Sequence, residues 1–136
     1  KFDRVDDSVC AVRSALQEGI ITGGGLAMFH AVDNMPAEVT NENMFVAYKI
    51  LKQAVEVPLK QIIINAGKDP KDIIALMDSN KPNVGYDVKN EKMGDMFKMG
   101  VIDPLKVTKN ALINAVSVAT TILSTNAIIT NQREKQ

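Results

Sequence analysis

Val5, Val9, Val12 and Leu16 recur at three- and four-residue intervals among polar neighbours, the period of a helix carrying one apolar stripe. Gly19 stands where that helix would stop. Three glycines at residues 23–25 precede Leu26-Ala27-Met28-Phe29-His30-Ala31-Val32, a run with the length and composition of a short buried helix. Over residues 40–66, Phe45, Tyr48, Leu51, Val55, Leu59, Ile62 and Ala66 keep helical spacing, with Gly67 as the stop. Pro58 falls inside this long helix, where it removes one hydrogen bond and crowds the Ala54 carbonyl. The cost is ~3 kcal/mol, which packing must offset, and a kink is expected.

Asp69-Pro70 supplies an N-cap and a first-turn proline for a short helix through Ile73, Ile74 and Met77. Residues 81–88 combine turn formers with a brief β-prone segment and predict a loop with at most a short strand. Asp103-Pro104 reads as a second cap, starting a helix whose buried face is Leu105, Thr108, Leu112, Ala115, Ala119 and Ile122. Residues 127–130, Ala-Ile-Ile-Thr, predict an edge strand suited to pairing with another segment or subunit, and residues 131–136 a frayed polar tail. The fold class is mainly α with minor β, and there is no internal repeat.

The length of 136 residues fits one domain or part of one. Sixteen basic residues balance sixteen acidic ones, so no net field draws the chain to nucleic acid or an anionic membrane. No run approaches the ~18 apolar residues of a membrane span, and nothing behind Lys1-Phe2-Asp3-Arg4 resembles a signal peptide, so the chain is expected to be soluble and intracellular. A single cysteine, Cys10, forms no internal disulfide and reads as a small inert hydrophobe. The chain opens without methionine and turns helical almost at once, so it is expected to be a piece of something longer.

No catalytic constellation is complete. His30 is the only histidine and reads as a residue on a packed helix, no histidine cluster can hold a metal, and no phosphate-loop motif ends in Gly-Lys-Ser or Gly-Lys-Thr. The triple glycine suits a nucleotide or anion site, and equally a tight connection between packed helices. Asp7 lies nearly opposite the Val5, Val9, Val12, Leu16 stripe at 100° per residue, and reads either as a solvated carboxylate near a helix start or as a group directed at something outside the local core. Asp103 is explained in full as an N-cap. Met93, Met96 and Met99, spaced by three, read as gap fillers.

Four blocks in order change the picture: Arg4-Val5-Asp6-Asp7, then Glu18-Gly19-Ile20-Ile21-Thr22-Gly23-Gly24-Gly25, then Gly85-Tyr86-Asp87, then Met99-Gly100-Val101-Ile102-Asp103-Pro104-Leu105-Lys106-Val107. Together they resemble the group I, GroEL-type chaperonins over nearly the whole chain. The resemblance implies the C-terminal part of a helical, ATP-binding equatorial domain: residues 1–18 as the junction helix from the intermediate domain, 19–130 as equatorial domain, 131–136 as a disordered tail. It implies Gly23 and Gly24 packing backbone against the nucleotide, Asp87, Val88 and Lys89 beside the adenine, Val101 in the same site, Asp103 on the ribose, and Asp7 positioning the attacking water. Asp87 stands where many members have asparagine, and Val88-Lys89 replaces two small residues.

The resemblance further implies ATP with Mg2+ as cofactor, the phosphate and metal ligands lying in the N-terminal part. It implies non-native proteins as substrates, a co-chaperonin bound through the apical domain, a double heptameric ring, and a bacterial-type cytoplasm, with mitochondrial matrix or plastid as alternatives. Phosphoryl transfer depends on positioning and neutralising phosphate charge, so this chain alone is expected to be inactive. The rival expectation is an isolated helical assembly module without catalysis. A free-standing Rossmann-type enzyme stands third, because no strand-helix-strand unit surrounds the triple glycine.

Overall fold

The computed structural model describes residues 2–32, 41–77, 81–127 and 129. Helix α1 (Phe2–Glu18) begins with Asp3 in its first turn, where the helix dipole favours a carboxylate, and stops at Gly19 as expected. The Gly19 N–H donates to the Ala15 carbonyl at 2.8 Å. The apolar stripe forms but is not covered: α1 has no buried residue, and Val5, Val9, Val12 and Leu16 are exposed.

Strand β1 (Ile20–Thr22) leads into the glycine turn and α2 (Leu26–Ala31). The long helix α3 (Glu42–Asn65) is capped by Asn41, whose Oδ1 accepts the Met44 N–H at 2.9 Å, and runs unbroken through Pro58. The expected start at Thr40 lies outside the described residues. Its buried face is narrower than the spacing suggested. Val55, Leu59 and Ile63 are buried, whereas Ile62 is only half-buried and Phe45 and Ala66 are exposed. The main cover is the short helix α2, with α4 a lesser neighbour, and the buried stripe is about one residue wide at each turn.

Helix α4 (Pro70–Ala75) starts as expected, with Asp69 Oδ1 accepting the Lys71 N–H at 2.8 Å and Pro70 in the first turn, but it ends before Met77. In place of a loop with one short strand there is a hairpin: β2 (Val84–Asp87) pairs antiparallel with β3 (Lys92–Asp95), with Gly85 opposite Gly94 and Asp87 opposite Lys92. A second ladder joins β1 to β4 (Ile102–Pro104), with Ile21 opposite Asp103. Helix α5 (Leu105–Leu123) follows directly.

The ladder corrects the expected cap. Asp103 is a strand residue, the helix begins after Pro104, and no side chain caps its first turn. The expected buried face of α5 is also largely uncovered: Thr108 and Leu112 are half-buried, while Leu105, Ala115, Ala119 and Ile122 are exposed. Helix α1 is the main neighbour of α5. Lys106 Nζ reaches Gln17 Oε1 at 2.5 Å, Lys109 pairs with Glu18, and the Leu105 N–H donates to the Gly19 carbonyl at 3.1 Å. The edge strand expected at residues 127–130 falls partly outside the described residues. Within it, Ala127 and Ile129 carry no strand pairing.

The core is Leu26, Val32, Val55, Leu59, Ile63 and Met96, closed at one end by the Tyr48 hydroxyl donating to the Val32 carbonyl at 3.2 Å. His30 is buried on α2 as expected, edge-on to Phe29 with ring centroids 5.3 Å apart. No described helix is long and apolar enough to cross a membrane.

Candidate functional site

The glycine turn is built by packing. Gly24 and Gly25 both hold left-handed backbone, at φ 66° and 79°. A methyl group on Gly23 would stand 3.1 Å from the Val101 and Ile102 backbone, and the Gly23 N–H donates to the Val101 carbonyl at 2.9 Å, extending the β1–β4 ladder by one residue. The reading of the triple glycine as a tight connection between packed elements is therefore met. Gly23 and Gly25 answer to neighbouring backbone, while Gly24 faces more open space, with only the tip of Met96 at 3.3 Å and Val101 at 4.0 Å from the position of an added Cβ.

The ladder joins Gly23 to Val101 and sets Asp103 opposite Ile21, two residues before the glycine turn. Asp103 is half-buried, and its carboxylate makes no hydrogen bond or ion pair among the described residues. Burial alone pushes its carboxyl above the ordinary carboxylate range. With the capping role removed, nothing local explains a carboxylate here. A partly desolvated acceptor without a protein donor suits a ligand that brings hydroxyl groups.

Met96 links the hairpin to this place. Its side chain lies 3.1 Å from where a Gly85 Cβ would be, and its Cε approaches Gly24. The gap-filling role expected for the methionines is thus met by Met96, which is fully buried, and by Met99, whose sulfur packs over Gly94.

Beyond Gly85, Asp87 is buried and turns its carboxylate onto its own loop. Oδ1 accepts the Lys89 N–H at 2.9 Å and the Asn90 N–H at 3.3 Å, and Oδ2 accepts the Asn90 side-chain amide at 2.6 Å. The Asn90 amide holds the Asp87 carboxyl below its ordinary range, helped by the two backbone donors and the Lys89 charge and opposed by burial. Val88 is half-buried and Lys89 exposed at the tip. Sequence reasoning passed over Asn90 and its neighbour Glu91, which holds φ 53° and pairs with Lys68 at 3.2 Å. The available signal was the Asp-x-x-Asn spacing between two short β-prone runs.

Asp7 is not brought into this group by any hydrogen bond. It is exposed on α1 and unpaired among the described residues, about 17 Å along the helix axis from the Glu18 end, where the strands begin. Among the described residues, no group of three or more His, Cys, Asp or Glu could hold a metal ion.

Residues 2–133 match the TCP-1/cpn60 chaperonin family. Among solved structures, the open-state monomer of a group II chaperonin from Methanococcoides burtonii is similar, with a TM-score of 0.70 and 25% sequence identity over 78% of this chain and 28% of that one. The chain thus spans little more than a quarter of that neighbour's length.

Proposed function

The chain belongs to the TCP-1/cpn60 chaperonin family, and from that premise we propose that it is an equatorial-domain segment carrying the nucleoside side of the ATP site of a group I chaperonin. The observation that carries this reading is Asp103: a half-buried carboxylate without a protein partner, set beside a glycine turn that admits close approach. In this reading Asp103 accepts the ribose hydroxyls, Gly23 and Gly24 present backbone to the nucleotide, Val101 lines the same place, and the loop of Asp87, Val88 and Lys89 faces the base. The group I assignment is supported by the four sequence blocks ending at Val107.

Asp7 positions the attacking water. Its lack of any structural partner supports this role, since the carboxylate is free to meet a ligand. Bound magnesium would neutralise phosphate charge, and by the family resemblance its ligands lie in the N-terminal part of the protein. The exposed apolar faces of α1 and α5 are read as covered by other parts of the protein. Non-native proteins are the proposed substrates, a double heptameric ring the assembly, a co-chaperonin held by the apical domain the partner, and a bacterial-type cytoplasm the location. These rest on the family resemblance.

The test is MgATP binding and turnover by the complete protein, unaltered and with Asp7→Ala. Binding is expected to persist in the variant while turnover falls roughly 100-fold or more. Near-normal turnover would remove Asp7 from the mechanism. Absence of ATP binding by the unaltered protein, with self-association intact, would favour an assembly module instead.

A further inference from the structure

The loop between β2 and β3 is closed by a side chain that has no part in the site as described so far. Asp87 offers about four lone-pair positions on its two oxygens. Hydrogen bonds from the Lys89 N–H, the Asn90 N–H and the Asn90 side-chain amide already take three of them. The residue is 6% exposed. A ligand edge approaching the loop therefore meets a carboxylate committed to its own turn. Val88 and Lys89 are the more accessible residues at the tip.

We propose that Asn90 is a positioning residue for the base side of the nucleotide site: its amide holds the Asp87 carboxylate as the cap of the β2–β3 turn, so that Val88 and Lys89, rather than that carboxylate, are presented to the nucleobase. The inference rests on the nucleotide reading above and deepens it. The physical reason is the cost of a buried carboxylate oxygen without a donor. Without the Asn90 amide, Oδ2 loses its one protein donor, and the turn must open to let water replace it. The far end of the turn has its own restraint, the Glu91 to Lys68 ion pair, which is exposed and weak. Beside the two backbone donors, the Asn90 amide is the side-chain contact that fixes the carboxylate and, through it, the turn carrying Val88 and Lys89.

The experiment uses the complete protein and two readouts: hydrogen exchange of the Lys89 and Asn90 amides without nucleotide, and affinity for ATP. Asn90→Ala is expected to lose protection at both amides and to weaken ATP binding roughly tenfold. The conservative variant Asn90→Ser keeps a short side-chain donor for the Asp87 carboxylate and leaves position 87 unaltered. It is expected to recover both protection and affinity to within about twofold of the unaltered protein.

Recovery of protection without recovery of affinity would overturn the proposal, because it would show that Asn90 acts on the nucleotide directly and not through the turn. An Asn90→Ala variant unchanged in both readouts would overturn it as well. If the unaltered protein binds no ATP, the nucleotide reading fails and the positioning role falls with it. Amide exchange would still report whether the clamp exists, which separates the two failures.

Discussion

Gly25 lies against Leu59 so closely that a methyl group on it would stand 2.8 Å from the Leu59 backbone nitrogen and 3.0 Å from its Cα. The contact joins the glycine turn to α3 one residue after Pro58. Backbone cannot withdraw from a new methyl as a flexible side chain can, and Gly25 also holds φ 79°. Gly25→Ala is expected to destabilise the protein by about 3 kcal/mol, combining overpacking with left-handed strain. Gly24→Ala meets only the movable tip of Met96 and is expected to cost about 1–2 kcal/mol. Urea unfolding of the two variants side by side checks the order, and equal costs would mean that the Leu59 contact is not the dominant constraint.

Asp103→Asn separates stability from ligand affinity. Burial raises the folded-state carboxyl above its unfolded value, so the ionised form is disfavoured by folding. Its penalty is absent below the unfolded value of about 4 and grows as pH rises through the folded value. The asparagine variant is therefore expected to be at least as stable as the unaltered protein at neutral pH, with the difference vanishing below about pH 4. ATP affinity should fall, because a neutral amide is a weaker acceptor for sugar hydroxyls than a carboxylate. Thermal unfolding across pH, paired with nucleotide titration, reads both. Unchanged affinity would remove Asp103 from the site.

Glu91→Gly tests the strain stored at the end of the β2–β3 turn. Glutamate at φ 53° costs about 1 kcal/mol relative to glycine, and the ion pair it makes with Lys68 is solvent-exposed and contributes less. The variant is expected to gain up to about 1 kcal/mol in denaturant unfolding. A loss would mean that the link to Lys68 outweighs the strain.

Helix ends were legible in the amino-acid sequence because their causes are local. Gly19 and Gly67 stop helices, and Asp69-Pro70 caps and opens one, each through groups within a few residues. The four ordered blocks likewise pointed to the chaperonins, and residues 2–133 match the TCP-1/cpn60 chaperonin family. The ladder that places Asp103 could not be read this way. Ile21 and Asp103 are roughly eighty residues apart, and three-residue strands are too short to show a period of two. Asp103-Pro104 satisfied a local capping rule that tertiary pairing then overrode.

The same division explains the faces of α1, α3 and α5. Periodicity defined an apolar side on each, but burial depends on what lies opposite: α3, packed against α2 and α4, buries Val55, Leu59 and Ile63, while most of the α1 and α5 stripes stay exposed. The Asp87 to Asn90 clamp has the same character. Sequence reading passed over Asn90, and the hairpin brings the carboxylate and the amide to 2.6 Å. Local rules determine helix ends such as Gly19, Gly67 and Asp69-Pro70, because capping and backbone conformation act over a turn, unless long-range pairing competes as it does at Asp103. Which carboxylate is spent on structure and which is left for a ligand is decided by long-range pairing, because that alone settles which donors surround it.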